Sequence, residues 1–255
     1  MTTQSFTPEL ARAVTALLLI TTGYAAYYLM AFSGRVWKLF KKRHASWKNE
    51  VSLFLFQKLM GFFFLGLLPG AIFFQLLSFT PERYSFAGIN PPVPVYVVVL
   101  TALLIVFTAA FSAKKHDIYS RIPHMRISYW GIKEIAISAG GWAIYLLAYE
   151  FIFRGLLLFS TAEVWGVWPA VLINLFLYAV FHIPNGPKET LASIPFGLVL
   201  CVVSLLSGSF WPAFLLHFVL SLSTEMFAIH FNPDMQFHFR WGVAGSTRRG
   251  TRGET

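Results

Sequence analysis

Residues 135–160 read IAISAGGWAIYLLAYEFIFRGLLLFS. A run of about 20 predominantly apolar residues is the length an α-helix needs to cross a bilayer. This run carries only two charges, Glu150 and Arg154. A barrel strand would be shorter and would alternate, so the stretch predicts a transmembrane helix. Working outward, similar runs occur at 13–33, 55–79 and 92–113 before it, and at 165–182, 191–208 and 211–231 after it. The expected fold class is all-α, a polytopic transmembrane bundle of about seven helices. Composition agrees. Of 255 residues 56% are hydrophobic and 12% charged, and Phe occurs 27 times. Soluble domains carry about 25% charged residues, so a soluble enzyme and a disordered chain are both excluded. The single Cys201 excludes an internal disulfide and a cysteine-rich zinc site.

The formal net charge of +9 would suit a nucleic-acid binder if it formed a soluble basic face. Here it sits in blocks between apolar runs, which points to topology and to lipid headgroups, and to no nucleic acid. Arg35, Lys38, Lys41, Lys42, Arg43 and Lys48 lie between the first two helices. Lys114, Lys115, Arg121, Arg126 and Lys133 lie between the third and fourth, Lys188 between the fifth and sixth, and Arg240, Arg248, Arg249 and Arg252 in the tail. The opposite loops offer Arg83. The positive-inside rule then places the N-terminus outside and the C-terminus in the cytoplasm. A bacterial inner membrane fits the compact loops, and the first apolar run reads as a retained helix because no small-residue cleavage site follows it. The organisation expected is three N-terminal helices with basic cytoplasmic loops over 1–134, a four-helix core over 135–232, and a basic tail over 233–255. Pro69-Gly70 and Gly140-Gly141 are expected to mark kinks or close helix packing.

A charge at the bilayer centre costs at least ~2.5–3.5 kcal/mol on insertion scales, which makes intramembrane ionisable residues functional candidates. They are Glu150 and Arg154 on helix four, His182 at the end of helix five, and His217, Glu225 and His230 on helix seven. Lys58, near the start of helix two, is expected to snorkel to the basic face. Glu225 is expected near the inner headgroups, and His44, His116, His124 and His238 in solvent. Glu150 and Arg154 stand at i and i+4 on one helix face, with the acid first, so they form either a self-neutralised pair or a held carboxylate. Two histidines and a carboxylate on three helices can activate water and hold an oxyanion. They can equally bind one zinc or other divalent metal and leave a position for water. Asn174 either orients His182 or bridges helices. The depths of Glu150, His182 and His217 differ by up to about three turns at ~1.5 Å per residue. Convergence therefore calls for an irregular start to helix seven.

Three ordered motifs carry a resemblance: Glu150-Phe-Ile-Phe-Arg154, Tyr178-Ala-Val-Phe-His182, and Gly208-Ser-Phe-Trp-Pro-Ala-Phe-Leu-Leu-His217. Together they resemble the CPBP family of intramembrane proteases, the CAAX-protease and bacteriocin-processing family, also called ABI. The resemblance covers roughly residues 135–225. It implies hydrolysis of a membrane-associated peptide or protein, with Glu150 and His182 activating water and Arg154 holding Glu150. His217 and Ser221 would bind the oxyanion, and Tyr178 is the aromatic of the second motif. Members are usually described as metalloproteases, and metal-free activation by glutamate is also proposed, so the resemblance leaves the metal open. Two positions depart from the family pattern. Tyr149 stands where the motif has a first glutamate, and Ser221 where it has asparagine. A neutral phenol of pKa ~10 is no strong base, and serine donates with a shorter reach. The alternative implied is a catalytically silent homologue acting as a membrane binding or scaffolding protein. A proton-carrying transporter is disfavoured, because no inverted repeat is visible.

Overall fold

A computed structural model describes residues 7–41, 47–76 and 95–238 of the chain. Among them, seven helical stretches are long and apolar enough to cross a membrane. The first is α1 (Pro8–Ala31), and the second is α3 (Trp47–Phe62) continued through a π-helical turn (Phe63–Leu67) into α4 (Leu68–Leu76). The third is α5 (Val95–Ser112). The fourth runs from α7 (Ile132–Glu150) through a second π-helical turn (Phe151–Leu157) into α8 (Leu158–Trp165). The last three are α9 (Val167–His182), α10 (Pro187–Ser207) and α11 (Trp211–Phe231). Two short helices, α2 (Gly34–Lys41) and α6 (His116–Tyr119), lie between crossings. Strands β1 (Tyr129–Trp130) and β2 (Gln236–Phe237) pair in parallel. We call the end where α7 begins and α11 finishes basal, and the other apical. The predicted ends 77–79 and 92–94, the loop residues Lys42, Arg43, His44 and Arg83, and the tail arginines Arg240, Arg248, Arg249 and Arg252 lie outside the described residues.

The fourth crossing is the axle of the bundle. Its π-helical stretch is apolar on every side except at Arg154, and Ile152, Phe153, Leu156 and Leu157 are completely buried. A helix apolar all round belongs in the interior. The first crossing starts earlier than expected. Thr7 caps it by accepting the Leu10 N–H at 3.3 Å. Arg12, placed ahead of the helix by sequence, is inside it and buried, paired with Glu9 at 2.9 Å and with Glu163 of α8 at 3.3 Å. Pro69, which has no N–H to give the preceding turn, stands two residues after the end of the first π turn. That turn packs against the fourth crossing so closely that a Cβ on Gly66 would meet the Ala148 Cβ at 2.7 Å.

Two charged residues are not where the sequence placed them. Lys58 does not reach the basic face. Its Nζ sits 3.0 Å from the ring centroid of Trp142, 4.8 Å from Tyr145 and 5.2 Å from Phe54. Glu225 is away from the headgroups, fully buried, and accepts a hydrogen bond from Ser138. The reason is Gly141. A Cβ there would collide with the Phe54 ring, so its absence lets α3 lie against α7 and seals the Lys58 stem inside. Aromatic faces then replace water around the ammonium, and Glu225 attracts it electrostatically. Gly140 meets nothing within 4 Å, so only the second glycine of the pair serves close packing.

Candidate functional site

Glu150 is the last residue of α7, and Arg154 lies in the π turn that follows. A π turn carries one residue more than an α turn and often marks a functional site. Across it, Arg154 Nη1 approaches Glu150 Oε2 at 3.1 Å and Oε1 at 3.4 Å, with both side chains wholly inaccessible. Asn174 of α9 supports the turn rather than His182: its Nδ2 donates to the Phe153 carbonyl at 2.7 Å. The thiol of Cys201 in α10 completes that bridge, 3.4 Å from Asn174 Oδ1. The Arg154 guanidinium lies 4.4 Å from the Tyr178 ring centroid. Its Nε and Nη2 have no hydrogen-bond partner, so aromatic faces hold much of this buried cation.

His217 meets Glu150 directly: its Nδ1 is 2.5 Å from Glu150 Oε1. The expected difference in depth vanishes, and not through an irregular start to α11, which is a regular helix with Pro212 in its first turn. Instead the residues on either side of Gly208 in the turn between α10 and α11 are packed into the bundle, while Gly208 itself is exposed. Ser207, Ser209 and Phe210 are completely buried, and the Phe210 ring packs on Phe151 at 6.0 Å. Non-helical backbone at that depth needs its polar groups satisfied internally. Ser209 N–H donates to the Ser204 carbonyl at 3.0 Å, and Ser207 Oγ donates to the Val203 carbonyl at 2.7 Å. Gly208, at φ 60°, supplies the left-handed residue that closes the turn, a conformation glycine adopts without steric cost.

His182 ends α9. Its Nδ1 donates to the Tyr178 carbonyl at 2.7 Å, and its ring lies against the Tyr178 ring at 4.4 Å. That bond puts the proton on Nδ1 and leaves the Nε2 lone pair free. The Tyr178 ring also lies 6.3 Å from His217, so it neighbours both imidazoles. Tyr149 fills space beside the same group, 5.8 Å from the His217 ring, 6.0 Å from Tyr178 and 4.7 Å from Phe153. Phe196 of α10, which no sequence pattern singled out, closes on His217 at 5.5 Å. Of the expected residues, Glu150, Arg154, His182, His217, Tyr149 and Tyr178 are thus brought together. Ser221 lies one turn along α11 and is partly accessible. Glu150 is joined to His217, where the sequence reading had paired it with His182.

The donor set does not fit a three-ligand metal centre. Glu150 is already engaged by Arg154 and His217. Among the described residues no group of three His, Cys, Asp or Glu side chains is disposed to hold an ion.

The arrangement is a buried carboxylate fixing one imidazole, with a second imidazole held by backbone, inside a bundle of apolar helices. Residues 130–223 match the family model described as Rce1-like, type II CAAX prenyl endopeptidase. That is the CAAX-protease family the motifs resemble, and the matched span contains every residue of the cluster. Comparison with curated proteins and with solved structures gave no match.

Proposed function

We propose that the chain is an intramembrane endopeptidase that hydrolyses a peptide bond of a membrane-associated peptide or protein, using water activated by Glu150 and histidine. The observation that carries this reading is the 2.5 Å contact between Glu150 Oε1 and His217 Nδ1. A carboxylate that accepts from Nδ1 leaves Nε2 as the proton acceptor and stabilises the imidazolium that forms, the logic of a carboxylate-oriented general base. Water adds to the scissile carbonyl as its proton passes to His217 Nε2, and the same proton later goes to the leaving amine. His182, an acceptor at Nε2, holds the second hydrogen of the water. Arg154 holds Glu150 in place and balances its charge, and the Ser221 hydroxyl donates to the oxyanion. No step is assigned to a zinc or other divalent ion; stoichiometric metal lost in His217→Ala would bring one in. The setting proposed is a bacterial inner membrane, N-terminus outside and C-terminus cytoplasmic.

The test compares the termini of membrane peptides, by mass spectrometry, in cells carrying the native chain or one of Glu150→Gln, His182→Ala and His217→Ala at matched abundance. Each substitution is expected to reduce cleavage by about 10²–10⁴-fold. Unchanged cleavage in all three sinks the mechanism. A second reading, a silent scaffold, is favoured by the complete inaccessibility of the Glu150 side chain together with Tyr149 in place of a carboxylate. Under that reading His182→Ala keeps the cellular phenotype at normal protein level.

A further inference from the structure

A pocket of about 670 Å³ lies at the basal end between α1, α2 and α3, away from the catalytic cluster. Its walls differ in kind. Leu29 and Met30 from the last turns of α1 and Phe56 from α3 make an apolar side, while Arg35 and Lys38 of α2 with Ser33 make a cationic, hydrogen-bonding side. It is an open groove rather than an enclosed cavity, so a ligand would lie along it with one side uncovered.

Helix α2 explains the arrangement. Ser33 starts it, its Oγ accepting the Val36 N–H at 3.3 Å. In GRVWKLFK, Arg35, Lys38 and Lys41 recur every three residues, with Val36, Trp37, Leu39 and Phe40 between them. Trp37 and Leu39 are exposed at 54% and 67%. A short basic amphipathic helix joined to the end of a crossing is the kind of element that suits the membrane interface. Arg35 and Lys38 have no ion-pair or hydrogen-bond partner among the described residues. The sequence supplies none nearby: no Asp or Glu occurs between Glu9 and Glu50. An apolar wall at the end of a candidate membrane crossing and a cationic wall beside it match the two halves of one molecule.

We propose that this pocket binds an anionic phospholipid, its phosphate against Arg35 and Lys38 and the upper part of its acyl chains along Leu29, Met30 and Phe56. Free phosphate would use only the cationic side and leave the apolar side bare. A zwitterionic lipid would set its own cation against Arg35 and Lys38.

The experiment is native mass spectrometry of the full-length protein in neutral detergent, titrated with phosphatidylglycerol or phosphatidylcholine at equal concentration. The native chain is expected to retain one phosphatidylglycerol about tenfold or more in preference to phosphatidylcholine. The double substitution Arg35→Gln with Lys38→Gln is expected to abolish the preference. Met30→Trp fills the pocket and leaves every charge in place, so it should weaken retention as well and thereby separate the pocket from general basic attraction. All three positions are exposed, so the variants keep the fold. Equal retention of both lipids overturns the proposal, as does a preference that survives the double substitution or Met30→Trp. Displacement of the lipid by excess inorganic phosphate alone would make the site a free-anion site and overturn it too.

Discussion

Two clusters of buried charge lie in the same bundle and are built differently. Near the middle of the fourth crossing, Glu150 is in direct contact with Arg154 at 3.1 Å and with His217 at 2.5 Å. Toward the basal end, Lys58 is boxed by Phe54, Trp142 and Tyr145, and Glu225 is bonded to Ser138 on another helix. Both offset an acid with a base, so buried charge alone does not distinguish them. What differs is what each leaves over. The first leaves two imidazole nitrogens without a bond and a His217 side chain 11% accessible. In the second, Lys58 is 3% accessible and Glu225 not at all, and their partners are packed between them. The accessible nitrogens of the first suit the proposed chemistry, whereas in the second even the unpartnered Glu225 Oε1 is enclosed, and the cluster serves to hold helices together. An aromatic column along α7 joins the two, Trp142 to Tyr145 at 6.1 Å, Tyr145 to Tyr149 at 5.7 Å and Tyr149 to His217 at 5.8 Å.

The sharpest way to break this contrast is Glu150→Gln. Cleavage is expected to fall by about 10²–10⁴-fold. Stability is expected to fall as well, because stripping one partner from a buried ion pair costs about 3–5 kcal/mol. Adding Arg154→Met should restore most of the melting temperature and none of the activity. Recovery of cleavage in the double variant would mean that Glu150 serves only to neutralise Arg154. His182→Ala removes no ion pair, so it should cost cleavage on the same scale with a small change in melting temperature.

The basal cluster should behave the other way. Lys58→Met keeps the stem and removes the cation, forfeiting a desolvated cation–π interaction of about 2 kcal/mol and the counter-charge of Glu225. The expected result is a lower melting temperature with cleavage per folded molecule within about threefold of native, well short of a lost general base. A loss of cleavage comparable to Glu150→Gln, with the fold intact, would move Lys58 into the working machinery. Gly141→Ala tests the packing that encloses Lys58. The new Cβ meets the Phe54 ring, and overpacking of this kind costs about 1–3 kcal/mol.

Much of this was legible in residue order. Apolar run length gave the seven crossings, and residues 135–160 alone announced a buried acid and base one turn apart. The motifs ordered along three crossings pointed to Glu150, His182 and His217 as one group, which the fold brings about. Their exact partners were not legible. Depth along straight helices separates Glu150 from His217, and the burial of Ser209 and Phe210 in the turn that leads into α11 removes the gap. That turn looks like an ordinary loop in sequence, because its burial depends on Phe151 opposite Phe210. Lys58 was misplaced for a related reason. Snorkelling is judged from distance to a helix end, whereas its burial depends on a glycine 83 positions away on α7. Asn174 read as a partner of His182 because both lie on α9, yet its amide goes across to the π turn, whose extra residue no periodicity discloses.

Tyr149 is where the smallest effect is expected and where the two clusters are joined. The ring touches Tyr145, Phe153, Tyr178 and His217, so truncation to Ala would open a cavity costing about 3–5 kcal/mol and say nothing about chemistry. Tyr149→Phe is the informative change. It keeps every ring contact and removes only the hydroxyl. If Tyr149 is packing that holds the His217 ring against Glu150, the variant cleaves within about twofold of native and melts within about 0.5 kcal/mol of it, the range of a harmless substitution. A loss of tenfold or more with an unchanged melting temperature would instead give the phenol a proton to move. The site would then be a rewired version of the two-glutamate pattern, with the phenol standing in for the absent acid, and the aromatic column would end in a chemical group rather than a wall.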